Sequence, residues 1–154
     1  MRRLAWLLAL LALGATPARA DQVLDGDTLE IEGQRMRLFG IDAFELEQTC
    51  LDSGGQPWRC GAAAQAALAE LIQDQAVSCT VLEEDQAQGY VAQCRVRDEV
   101  DLGGYMVEAG LALVPPDQPD GYPDEQAAAR AARKGVWAGT FTAPWDWREG
   151  EPDD

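Results

Sequence analysis

The chain has 154 residues, with 27 acidic side chains against 12 basic ones and no histidine. Without histidine there is no Ser-His-Asp or Cys-His nucleophile, no histidine phosphotransfer and no histidine-liganded zinc, so chemistry is left to carboxylates, arginines or a metal. The acidic field repels polyanions at long range and no basic stripe offsets it, so nucleic acid held tightly by bulk electrostatics is not expected.

Met1-Arg2-Arg3, the apolar run from Leu4 to Leu13 and Ala18-Arg19-Ala20 follow the basic, apolar, small-residue order of a secretory signal. The run is far shorter than the roughly 20 residues that span a bilayer, so cleavage before Asp21 is expected, with no membrane association afterwards. That leaves nine basic and 27 acidic residues, a net charge of −18, on a mature part long enough for one domain with a modest core. The expected division is a signal peptide at 1–20, one folded domain at 21–148 and a disordered acidic tail at 149–154, in a periplasmic or secreted protein.

Val23 to Asp42 alternates around the turn Glu32-Gly33-Gln34, with Leu29 and Ile31 facing Met36 and Leu38 as in a hairpin. Residues 49–60 read as a Gly-, Asp-, Ser- and Pro-containing loop closed by Cys50 and Cys60. Gly61 to Asp74 is alanine-rich with Leu68, Leu71 and Ile72 at helical spacing, which predicts an amphipathic helix on the sheet. Val77 to Val96 predicts a second hairpin, with Val77, Cys79 and Val81 opposite Ala92, Cys94 and Val96 and a turn near Gln86-Ala87.

Four cysteines allow three pairings. Cys50–Cys60 and Cys79–Cys94 are favoured because each pair flanks a closable loop, and the second pair occupies opposed positions on one face. On the loop-closure account the second bridge contributes about 3 kcal/mol. A four-thiolate zinc site competes with this pairing but lacks any Cys-x-x-Cys spacing. A short helix is expected from Asp101 to Ala109, stopping at Gly110, then a proline-rich loop from Pro115 to Pro123. A second alanine-rich helix follows from Asp124 to Lys134, and Trp137, Trp145 and Trp147 are expected to pin the C-terminal segment to the domain rather than bind a ligand.

If the first turn centres near Gly33, Asp27 lies opposite Gly40, Asp42 stands one step beyond on the same face and Glu45 follows. Converging carboxylates need compensation, which a hard divalent ion such as calcium supplies through oxygen ligands. Three solvated acids are the simpler account on pairing alone. The same register places Arg37 opposite Glu30 as a cross-strand ion pair and on the face away from Asp27, so a bulge or barrel curvature is needed to aim it inward.

Val23-x-Asp25-Gly26-Asp27-Thr28, Arg37-Leu38-x-Gly40-Ile41-Asp42-x-x-Glu45, Gly110-Leu111-Ala112, Ala129-Arg130 and Gly135-Val136-Trp137 together resemble the thermonuclease, or staphylococcal-nuclease-like, family across nearly the whole mature chain. The resemblance implies an α+β, mainly β domain, a five-stranded OB-fold barrel with about three helices. It also implies a calcium-dependent phosphodiesterase with nucleic acid as substrate rather than tightly held partner. Asp27 and Asp42 would hold Ca2+, Glu45 would position or deprotonate the attacking water, and Arg37 would neutralise the phosphate.

Several positions depart from the family pattern. Its second active-site arginine, in the turn of the later hairpin, aligns with Gly89, and Arg95 and Arg97 lie further along the strand on the non-core face. Removing one such preorganised donor typically costs about a hundred to a thousandfold in rate. Ala43 and Phe44 replace the usual Thr-Pro before the glutamate, leaving a main-chain carbonyl ligand at Ala43. The loop after Gly110-Leu111-Ala112 reads Leu113-Val114-Pro115-Pro116-Asp117, without the aromatic or basic groups the family often offers to the nucleotide. Three functions follow: a weakened exported nuclease, a catalytically degenerate calcium- or partner-binding module, or a disulfide-braced structural or partner-binding domain.

Overall fold

The computed structural model describes residues 20–85 and 89–150. The expected leader therefore lies outside the described residues except for Ala20. The expected turn at Gln86-Ala87 and the last four residues of the expected tail lie outside them as well.

The first hairpin joins β2 (Thr28–Ile31) to β3 (Gln34–Leu38), pairing Thr28 with Arg37, Leu29 with Met36, Glu30 with Arg35 and Ile31 with Gln34. Its turn is the two residues Glu32 and Gly33, both left-handed at φ 52° and 73°, the geometry that matches the twist of the flanking strands. This tight turn corrects the expected register: Glu30 faces Arg35 rather than Arg37. Asp27 stands before the ladder, with its carbonyl accepting the Leu38 N–H at 2.8 Å, rather than opposite Gly40.

β1 (Ala20–Val23) pairs with β2 on one side, and β8 (Gly89–Val96) lies parallel to β3 on the other. β7 (Val77–Asp85) completes the second hairpin with the expected opposition of Val77 to Val96, Cys79 to Cys94 and Val81 to Ala92. An extra residue, Leu82, bulges between Val81 and Glu83. The path β1-β2-β3-β8-β7, with the short β9 (Val100–Asp101) on β8, is a curled five-stranded half-barrel of the OB type.

α1 (Cys60–Ile72) closes one side, burying Ala64, Leu68 and Ile72 one helical turn apart, while Leu71 is only partly buried. The Gln65 side chain donates to the carbonyls of Val23 and Leu24, fixing the helix to the end of β1. α2 (Leu102–Glu108) sends Leu102, Met106 and Val107 into the same core, and its N-cap Asp101 accepts the Gly104 N–H at 3.1 Å. β10 (Ala112–Leu113) pairs with β4 (Asp42–Ala43), so the segment after Gly110 is tied to the expected ligand Asp42.

A second apolar cluster gathers Phe44, Cys50, Cys60, Leu113 and Val136 under Trp58, Trp137, Phe141 and Trp145. Phe141 stands edge-on to both Phe44 and Trp137, with centroids 5.5 and 5.1 Å apart. Trp137 and Trp145 therefore pin the C-terminal segment as expected, whereas Trp147 is exposed. The remaining elements are β5 (Cys50–Leu51), β6 (Pro57–Trp58), α3 (Pro123–Ala131), a 3-10 turn at Gly135–Ala138 and α4 (Pro144–Glu149). α4 is a fourth helix where about three were expected, and it takes up Glu149, which had been assigned to the tail. Both favoured disulfides are present, with Cα separations of 5.6 Å for Cys50–Cys60 and 4.1 Å for Cys79–Cys94, so no thiolate is left for zinc.

Candidate active site

At the open end of the first hairpin, a cleft of about 430 Å³ is lined by Asp25, Asp27, Thr28, Arg35, Arg37, Asp42, Ala43, Phe44, Glu45 and Arg148. The candidate site residues Asp27, Arg37, Asp42, Ala43 and Glu45 thus line one cavity. The bend Asp25-Gly26-Asp27 aims the first acid: Asp25 Oδ1 accepts the Asp27 N–H at 3.0 Å, a side chain mimicking a turn. Asp27 is buried, its Oδ2 accepting the Ala43 N–H and its Oδ1 the Thr28 hydroxyl, each at 2.8 Å.

Burial pushes the Asp27 carboxyl up to about 7, and the charge of Asp25 adds to the effect. The Ala43 N–H, the Thr28 hydroxyl and Arg37 oppose it. Arg37, half-buried opposite Thr28, therefore shares the cleft with Asp27. Strict alternation had placed it on the far face. Asp27 lies in a bend before the strand, where alternation does not apply.

Asp42 and Glu45 are held by a residue that the sequence did not single out. Arg148, in the last turn of α4, donates from Nη1 to Asp42 Oδ1 at 3.0 Å and from Nη2 to Asp42 Oδ2 at 2.6 Å, a bidentate pair, and also from Nη1 to Glu45 Oε1 at 2.6 Å. The hydrogen bond to Asp42, followed by that to Glu45, raises the guanidinium above its already high value, against a lowering by burial. The available signal was chemical: two acids beside a core need a counter-charge, and Pro144-Trp145-Asp146-Trp147-Arg148 has the N1 proline of a helix start.

The Glu45 backbone is set by Gln48, a fully buried amide. Its Oε1 accepts the Glu45 N–H at 3.1 Å, its own N–H donates to the Glu45 carbonyl at 2.7 Å, and its Nε2 donates to the Thr142 carbonyl at 2.8 Å. One side chain thus couples the Glu45 turn to the strand of chain leading into α4.

Gly89 has φ 99°, and a Cβ there would stand 2.5 Å from the Arg35 carbonyl oxygen. The parallel pairing of β8 with β3 fixes that approach, so the aligned arginine position is closed to a side chain unless the backbone moves.

The side chains of the cleft that can ligate a cation, Asp25, Asp27, Thr28, Asp42 and Glu45, offer oxygens, without sulfur or imidazole, which suits a hard cation such as calcium. Asp27 fits that ligand: its desolvated charge is undercompensated, and a cation would relieve it. Asp42 and Glu45 are compensated by Arg148, and among the described residues no three acids are grouped closely enough to ligate one ion. Ala43, the expected carbonyl ligand, is buried between them with its N–H on Asp27.

Fold and cleft together define a small OB-type domain whose polar site is built from carboxylates and guanidinium groups. The family described as "Staphylococcal nuclease homologue" matches residues 35–139, and the chain belongs to it. A relative, "Succinoglycan biosynthesis protein ExoI" of Rhizobium meliloti (strain 1021), is 34% identical over 117 residues, which is 75% of this chain. The chain spans 61% of that relative's length.

Proposed function

We propose that the domain is an exported, calcium-dependent phosphodiesterase acting on single-stranded DNA or RNA, weakened by the lack of a side chain at Gly89. The gathering of Asp27, Arg37, Asp42 and Glu45 into one cleft of a nuclease-family domain carries this reading. Asp27 and Asp42, with the Ala43 carbonyl, would hold calcium, which when bound polarises the attacking water and shares the charge of the phosphate. Glu45 positions that water and takes its proton at a carboxylate oxygen. Arg37 offers a planar pair of N–H groups to two phosphate oxygens and keeps its charge throughout. The two disulfides and the expected leader support a periplasmic or secreted location. No helix among the described residues is long and apolar enough to cross a membrane.

The chain without residues 1–20, incubated with single-stranded DNA, should cleave it with calcium and not with EDTA. No cleavage at any calcium concentration would overturn the assignment. A second reading, a degenerate calcium- or partner-binding module, is favoured by the closure of the Gly89 position against the Arg35 carbonyl. It would be recognised by a calcium-raised melting temperature without cleavage.

A further inference from the structure

Arg148 stands in the site on an element that the phosphodiesterase chemistry above does not use. Its two terminal nitrogens engage both oxygens of Asp42 and one oxygen of Glu45, at 2.6 to 3.0 Å. The segment carrying it is braced: Pro144 is buried, the Gln48 amide holds the Thr142 carbonyl, and Phe141 packs edge-on to Phe44. The Arg148 side chain itself is 43% exposed, while that of Asp42 is 6% exposed. Its long stem lets the guanidinium leave the carboxylates by rotating about its own bonds, with α4 still docked.

We propose that Arg148 is a built-in counter-ion for Asp42 and Glu45 that a divalent cation must displace, so that this one arginine sets the affinity of the site for calcium. The inference rests on the calcium-dependent reading above. A guanidinium and a dication drawn to the same carboxylate repel each other, and in a half-buried cleft that repulsion is weakly screened. The bidentate pair takes a lone pair on each Asp42 oxygen and leaves only the outer ones to a cation. While the arginine is in place, one oxygen of Glu45 is engaged. Beside this site, Arg37, Asp42 and Arg148 also line a second cleft with Pro115, Pro116 and Trp145.

The test is a calorimetric titration of calcium alone into the full chain and into its Arg148→Ala and Arg148→Lys variants, each checked for a cooperative melt. Arg148→Ala should bind calcium about tenfold more tightly or better. Arg148→Lys should fall between, because an ammonium cannot span both Asp42 oxygens. Equal affinity in all three overturns the proposal and leaves the calcium-dependent reading standing. Weaker binding by Arg148→Ala overturns it as well and makes Arg148 a positioning residue for Asp42. If Arg148→Ala does not fold, the lysine variant decides: tighter binding than wild type supports the proposal, and equal or weaker binding overturns it. Absence of calcium binding in every folded protein overturns the calcium reading and this inference with it.

Discussion

Asp27 combines burial with a neighbouring acid, and its carboxyl is pushed up to about 7. In the unfolded chain an aspartate titrates near 4, so between about pH 4 and pH 7 the folded state holds a proton that the unfolded state has released. Stability contributed at this position is therefore greatest at the acid side of that window and declines as pH rises through it. Asp27→Asn cannot ionise and should gain on wild type as pH rises, by on the order of 3 kcal/mol across the window. Urea unfolding of both proteins at pH 4, 5.5 and 7 measures the gap, and a constant gap would contradict the account. Gly89 carries a second prediction. Because a side chain there meets the Arg35 carbonyl and φ is 99°, Gly89→Arg should lower stability by about 1–3 kcal/mol and should not raise cleavage. A variant with unchanged melting temperature and a large gain in rate would show the position to be open.

The elements around the cleft differ in how plainly their residues announce them. The two hairpins were legible because period-2 alternation sets which side chains face the core, and Cys79 and Cys94 fell opposite each other as that pattern requires. The register at Arg37 was not legible. It depends on the length of the turn, two residues here against the four that Glu30 opposite Arg37 needs, and the non-glycine Glu32 takes a left-handed φ that composition does not signal. Arg148 was hidden for a different reason: it meets Asp42 across 106 residues of chain, and it sits in a short helix that reads as the approach to an acidic tail. Gln48 was equally inconspicuous, a polar residue in a loop, yet it ties the Glu45 turn to the C-terminal segment. Gln48→Ala would leave the Glu45 N–H and the Thr142 carbonyl without this partner, a loss of about 1–3 kcal/mol. Thermal unfolding measures it, and an unchanged midpoint would remove Gln48 from the scaffold of the site.

On the scale of the whole molecule, a modest core is reinforced by two covalent links. Cys50–Cys60 lies within the apolar cluster that anchors the C-terminal segment, and Cys79–Cys94 crosses the outer hairpin of the half-barrel. Replacing Cys79 and Cys94 together by alanine should reduce stability by about 3 kcal/mol, seen as a lower urea midpoint, whereas an unchanged midpoint would mean that the hairpin holds by packing alone. The OB-type fold and the grouping of Asp27, Asp42 and Glu45 came through the family resemblance, since pairing alone left three solvated acids as the simpler account, and the structure gathers the three in one cleft. The counter-charge that completes the set came from the far end of the chain, where only the folded structure brings it near. With a net charge of −15, affinity for a polyanion has to come from the cleft rather than from the surface field.

The most direct test compares the chain without residues 1–20 and its Glu45→Gln variant, at saturating calcium, for the rate of single-stranded DNA cleavage. Loss of a general base removes about a hundred to ten-thousandfold in rate, so wild type should cleave slowly but measurably and the variant at least a hundredfold more slowly, with both melting alike. Equal rates in the two proteins would contradict the assignment of this cleft as the site of phosphodiester hydrolysis.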